Sequence, residues 1–192
     1  MATITLQSNE IHTNGDVPAV GSNAPDFSLT TKELADVSLA DYAGKKKIIS
    51  IVPSLDTPTC QLSTKKLNEY AKSHPNTVIL VVSADLPFAM SRFCGDEGLE
   101  NVVTLSMMRD RNFAKDYGVL IGDGPLKGIT ARALISLDEN NNVKTSELVA
   151  EIADEPDYEI SEKLLDRYAF LPVGFLYDEI QPTCLQYASE FT

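Results

Sequence analysis

The run Thr77-Val-Ile-Leu-Val-Val-Ser83 is the feature that most constrains how this chain folds. It is almost wholly apolar, rich in β-branched residues and free of polar alternation. That pattern reads as a strand covered on both faces, as in the middle of a parallel sheet. A second β-branched run, Lys47–Val52, precedes it, and Gln61–Lys72 between them reads as a helix. Strand, helix and strand in that order imply a βαβ unit. The alternation continues with a helix over Leu86–Cys94, its first turn holding Pro87, and a strand over Asn101–Leu105. A short helix over Arg111–Tyr117, stopped by Gly118, and a strand over Thr130–Leu137 follow. Asp138–Asn142 turns the chain into Val143–Leu148, so at least one sheet edge is antiparallel. A last helix is expected from near Pro156 to about Tyr168.

Before this core, the first 13 residues alternate and predict a hairpin of Thr3–Leu6 with Ile11–Thr13, with Asn14-Gly15 as the next turn. Residues 18–31 read as loop plus a short strand, Phe27–Thr30, and Ser38–Ala43 as one helical turn closed by Gly44. The expected class is α/β with a thioredoxin-like layout: a mixed central sheet flanked by helices, with an N-terminal β-hairpin. Residues 1–168 form one domain in this reading. Residues 169–192 form an apolar tail carrying Pro172, Pro182 and Cys184, too apolar for a free linker. The tail is expected to pack on the domain, on a partner subunit or on a sheet edge.

The net charge of −12 argues against nucleic acid, whose phosphates call for Lys and Arg, and against an anionic membrane surface. No stretch approaches the roughly 20 apolar residues of a membrane-spanning helix. The N-terminus lacks a basic segment followed by an apolar one, so no signal peptide is expected and the cytoplasm is the expected compartment. Three cysteines, an odd number, do not suggest a secreted disulfide framework.

One cysteine stands out. Cys60 follows Pro53-Ser-Leu-Asp-Thr-Pro-Thr59 at a strand-to-helix junction, where unpaired backbone N–H groups and the helix dipole favour thiolate over thiol. Cysteine is often a small buried hydrophobe, but turn and polar residues before Cys60 favour a reactive role. Cys94, 34 residues on, ends the next predicted helix. It reads equally as a helix-end cysteine under a loop or as a thiol that closes a reversible disulfide with Cys60. Zinc is disfavoured, because there is no Cys-x-x-Cys and only His12 and His74 are available. Neither a Cys–His hydrolase nor a phosphate loop fits: His74 reads as a helix-exit residue, and Gly122-Asp-Gly124 lacks the lysine and helix such a loop needs. No cofactor or metal is expected. A thiolate with a nearby hydroxyl, Thr57, and a distant cation, Arg132, can attack an O–O bond. Arg132 also reads as a surface-facing strand residue, although its neighbours Ala131 and Ala133 leave room for it to reach inward.

Pro53-Ser-Leu-Asp-Thr57-Pro-Thr-Cys60 fits the peroxiredoxin signature Pro-x-x-x-Thr-x-x-Cys. Ser83-Ala-Asp-Leu-Pro-Phe-Ala-Met-Ser-Arg-Phe-Cys94-Gly and Asp123-Gly-Pro-Leu-Lys-Gly-Ile-Thr-Ala-Arg132-Ala resemble the bacterial thiol peroxidase branch, the atypical two-cysteine peroxiredoxins. The resemblance covers residues 1 to about 165. It implies that Cys60 is the peroxidatic cysteine, that Thr57 and Arg132 position and polarise the peroxide, and that Pro53 shields the thiolate. It implies that Cys94 resolves within the same subunit, on a homodimer re-reduced by thioredoxin. The implied substrates are hydrogen peroxide and alkyl hydroperoxides. After about residue 168 the chain departs from the family, whose members usually end in a helix and little more. That tail is the feature favouring an alternative role, a redox-sensing or client-binding protein using the same thiol pair.

Overall fold

Central strands buried on both faces build the fold in the computed structural model of the chain, which describes residues 1–159. The strands are β1 (Thr3–Leu6), β2 (Asn9–His12), β3 (Leu29–Thr30), β4 (Asp36–Val37), β5 (Lys46–Ile51), β6 (Thr77–Ser83), β7 (Val102–Ser106), β8 (Ala133–Leu137) and β9 (Val143–Leu148). The helices are α1 (Pro58–Ser73), α2 (Pro87–Glu97) and α3 (Asn112–Asp116), with a 3₁₀ turn at Leu39–Tyr42. Seven strands form one sheet in the order β4-β3-β7-β6-β5-β8-β9, and β1 and β2 form a separate hairpin. β6 runs parallel to both β5 and β7, while β8 and β9 are antiparallel, as are β3 and β4. The sheet is mixed and thioredoxin-like, with an N-terminal hairpin outside it.

Alternate residues face opposite sides of this sheet. Ile49, Ile51, Leu80, Val82, Ala133 and Ile135 face the side covered by the hairpin and α3. Ile48, Val52, Ile79, Val81 and Leu134 face α1 and α2, where they meet Leu67, Met90, Phe93 and Cys60. Both faces of β6 are therefore buried, which explains its unbroken apolar run. Gly118 ends α3 at φ +68, and the backbone of Asp16 occupies the place a side chain would take, so only glycine fits.

Several boundaries differ from the sequence reading. α1 begins at Pro58, three residues early, because proline at the first helical position leaves no N–H to satisfy. α2 continues past Cys94 and Gly95 to Glu97. Its end is the left-handed Gly98, whose N–H bonds back to the carbonyls of Cys94 and Gly95. β8 begins at Ala133, so Arg132 lies just before the strand rather than on it. The Thr130 hydroxyl bonds the Val52 carbonyl and the Ala131 N–H bonds Val119, which lifts this segment off the ladder. The first strand of the closing hairpin is accordingly shorter than expected. β4 is a two-residue strand of mixed polarity that periodicity does not reveal. Of the helix expected from near Pro156 to about Tyr168, only the part up to 159 is described, helical at 158–159, and the tail at 169–192 with Cys184 lies outside the described residues.

One carboxylate fastens the turn of the hairpin. Its turn residues, Gln7 and Ser8, both take positive φ (51° and 66°), a conformation non-glycine residues rarely adopt. Glu151 compensates: its carboxylate accepts the N–H groups of Gln7 (3.1 Å) and Ser8 (3.0 Å) and the Thr5 hydroxyl (2.8 Å). The Thr5 N–H bonds Ala150, and the Ile152 N–H bonds back to Thr5, so residues 149–152 run alongside β1. These bonds, led by that from Ser8, hold the Glu151 carboxyl down from 4.5 to about 2. With the folded value depressed, the stabilisation is complete above pH 4.5 and lost as pH falls towards about 2. Glu151→Gln should therefore lower Tm at pH 6, with the gap from the parent closing below pH 4 in thermal melts. A gap independent of pH would show that the charge plays no part.

Candidate active site

The approach to Cys60 is a strand that stops and a helix that starts without a side-chain cap. β5 ends at Ile51, and Val52 and Pro53 follow, both buried. Thr57 is the N-cap residue of α1 in extended conformation, yet its hydroxyl does not cap the helix. It donates instead to the Ser54 carbonyl at 3.0 Å, while the Thr57 N–H bonds the same carbonyl. Cys60 is the third residue of α1 and is fully buried. Its carbonyl accepts the hydroxyls of Ser63 (3.0 Å) and Thr64 (2.8 Å), both buried, which tightens the first turn around it.

Arg132 is only 3% exposed and reaches this sulfur: Nη2 lies 3.4 Å from Cys60 Sγ. Nε donates to the Ile152 carbonyl at 3.0 Å, fixing the plane of the guanidinium. Nη1 is buried with no partner among the described residues. The Val149 N–H bonds the Arg132 carbonyl, and Thr130 ties the same segment to the end of β5. A buried guanidinium interacts more strongly with a thiolate than with a thiol. Its remaining N–H can serve an oxygen that gains negative charge beside the sulfur.

A strap over residues 149–158 closes this side. The Thr59 hydroxyl donates to the Ala153 carbonyl at 2.9 Å, and Lys66 pairs with Glu155 at 2.8 Å. Tyr158 donates its hydroxyl to Glu155 at 2.7 Å. Lys66 beside Glu155 holds that carboxyl below the usual range, and burial pushes the Tyr158 hydroxyl well up. None of these strap residues was singled out from sequence. The contribution of Ile152 is a backbone carbonyl, which leaves no trace in side-chain pattern.

Cys94 stands apart. It packs at the margin of the apolar cluster that contains Cys60, and both are free thiols. It opens onto a crevice of about 650 Å³ between α2, β7 and the β3–β4 turn, lined by Lys32, Ser91, Leu99 and Val103 among others, which Cys60 does not line. Burial pushes the Cys94 thiol up, and Lys32 opposes this in part. The structure thus joins Cys60 with Arg132 directly. It places Thr57 and Pro53 just before Cys60 and leaves Cys94 on a crevice that the buried Cys60 does not line. Among the described residues no group of three His, Cys, Asp or Glu side chains is placed to hold a metal ion.

Residues 19–161 match the Redoxin family. The chain is 49% identical over 160 residues to a thiol peroxidase from Leptospira interrogans, covering 82% of this chain and 94% of that protein. A solved peroxiredoxin-like protein from Aquifex aeolicus superposes with a TM-score of 0.80 at 40% identity, covering 86% of this chain and 97% of that one. A thiol peroxidase from Chromobacterium violaceum gives 0.81 at 31% identity, covering 87% and 97%. With a fold, a sequence and a thiol-centred site that agree, the chain belongs to the Redoxin family, among its thiol peroxidases.

Proposed function

We propose that Cys60 is the thiol that reduces peroxide, and that Arg132, Thr57 and Pro53 serve it. The observation that carries this reading is the buried Arg132 Nη2–Cys60 Sγ contact at 3.4 Å, with Nη1 still open. The Cys60 thiolate attacks the distal peroxide oxygen, the O–O bond breaks, and the sulfur becomes a sulfenic acid. The alkoxide or hydroxide that leaves takes up a proton, giving alcohol or water. Arg132 stabilises the charge on that oxygen, Thr57 orients the peroxide, and buried Pro53 keeps water from the sulfur.

Cys94 then attacks the sulfenic sulfur, releasing water and forming an intramolecular disulfide. Because Cys60 is fully buried and Cys94 lines a crevice that Cys60 does not, the start of α1 and residues 88–98 of α2 unwind locally in this reading for the sulfurs to meet. Thioredoxin, a dithiol protein, returns the pair to thiols. A homodimer is supported by Leu62, Leu86 and Phe88, apolar side chains 45%, 54% and 64% exposed near the N-terminal ends of α1 and α2. Two free thiols fit a reducing compartment such as the cytoplasm. No described helix is long and apolar enough to cross a membrane.

Peroxide consumption coupled to thioredoxin and its reductase tests the assignment. Cys60→Ser should abolish turnover, and full activity in that variant would sink the reading. Cys94→Ser should complete one turnover, seen as one equivalent of peroxide consumed in a rapid-mixing experiment, and then fail to recycle. Arg132→Met removes a charge-assisted hydrogen bond worth about 1.5–3 kcal/mol, so kcat/KM for peroxide should fall about 10- to 100-fold. The pH dependence of the second step has a definite sign. A thiol held up by burial gives less of the attacking thiolate at neutral pH. Disulfide formation followed by stopped flow should therefore still be accelerating between pH 8 and pH 9. A plateau below pH 8 would show that the half-buried setting of Cys94 does not govern its thiolate in this step.

A further inference from the structure

Asp85 touches both halves of the proposed cycle. It lies between β6 and α2, one residue before the Leu86 N-cap of the helix that carries Cys94. Its carboxylate points the other way, into the loop before Cys60. Oδ1 accepts the Ser54 hydroxyl at 2.8 Å and Oδ2 accepts the Leu55 N–H at 2.7 Å. Ser54 is in turn the residue whose carbonyl holds both the hydroxyl and the N–H of Thr57. Its hydroxyl also receives the Asp56 N–H at 3.2 Å. One carboxylate therefore sets the shape of the whole Ser54–Thr57 turn.

The mounting of Asp85 is rigid. Ser83, fully buried, donates its hydroxyl to Oδ2 at 2.8 Å and accepts the Asp85 N–H at 3.1 Å. The fully buried Ser106 hydroxyl donates to the Asp85 carbonyl. Both serines close the central strands β6 and β7. Among the described residues no Lys or Arg bonds the Asp85 carboxylate, so neutral donors from the loop and from β6 stabilise its charge. The loop's other link to α2, Arg92 with Asp56 at 3.3 Å, is exposed on both sides and weak by comparison.

We propose that Asp85 is a positioning residue with opposed effects on the two steps: it holds the 53–57 loop in the peroxide-receiving shape and restrains the unwinding that brings Cys60 to Cys94. This rests on the function proposed above. A loop fastened to the central sheet keeps Thr57 and Cys60 aligned for the first step. The same fastening has to release when the start of α1 unwinds, so it sets how long the sulfenic acid waits. A sulfenic acid that waits is open to a second peroxide, which oxidises it to a sulfinic acid while the peroxide is reduced to water or alcohol.

The test compares the parent, Asp85→Asn and Ser54→Ala by stopped flow, with oxidised species counted by mass spectrometry. Asp85→Asn is expected to slow the reaction of Cys60 with hydrogen peroxide about tenfold, the scale of a weakened charged hydrogen bond. Disulfide formation should speed up several-fold, and less sulfinic acid should accumulate under excess peroxide. Ser54→Ala, which removes one bond and preserves the carboxylate, should move both steps in the same directions by less. Both steps slowing together, or neither changing, would overturn the role of Asp85. A parent protein that forms no Cys60–Cys94 disulfide would instead overturn the underlying cycle, and this inference with it.

Discussion

A permanent positive charge buried beside a sulfur is the constraint on which the rest of this structure depends. Removing a guanidinium from water is costly unless each donor finds an acceptor and the charge finds a counter-charge. Arg132 meets those terms in part, with a backbone carbonyl at Nε and Cys60 at Nη2, and Nη1 is left without a partner among the described residues. The thiol is therefore part of the core's electrostatics as well as its chemistry.

Holding the guanidinium in place draws in elements distant in sequence. The carbonyl that fixes it belongs to a strap stitched to β1 through Thr5 and Glu151, to α1 through Ala153, and to Lys66 through Glu155. The N-terminal hairpin looks peripheral to the seven-stranded sheet. Mechanically it is the outer anchor of the strap, and the active site is its inner anchor. The network of neutral donors around Asp85 plays the matching part before Cys60, tying the preceding loop to β6 and β7.

Much of this was legible in the sequence because it rests on period and on local chemistry. The apolar run of β6, the strand before Pro53 and the turn at Asp138–Asn142 each announce themselves. The Pro53, Thr57, Cys60 and Arg132 pattern points to the candidate site, where the structure brings Arg132 to Cys60. What stayed hidden has physical reasons. Gly95 reads as a helix stop, yet glycine is tolerated inside a helix when a better terminus, Gly98, lies three residues on. Arg132 reads as strand because its neighbours are apolar, but hydrogen bonds from Thr130 and Ala131 to other segments outcompete the ladder. Asp85 was not singled out, since nothing local in the sequence reveals that its carboxylate reaches a loop 30 residues earlier. The strap works through backbone carbonyls and scattered polar side chains, which follow no period.

The wiring of Arg132 also sets an order of events in the life of each molecule. Cys60 and Arg132 are 72 residues apart, and the carbonyl that locks the arginine comes 20 residues later still. Contacts of such long range close late in folding, after shorter-range structure has formed. On a growing chain, α1 and its sulfur leave the ribosome while the guanidinium and strap are still unmade. The site gains its buried charge only when nearly the whole described domain is available to fold. On the function proposed for Cys60, topology alone keeps the chain from carrying a completed site through its own synthesis.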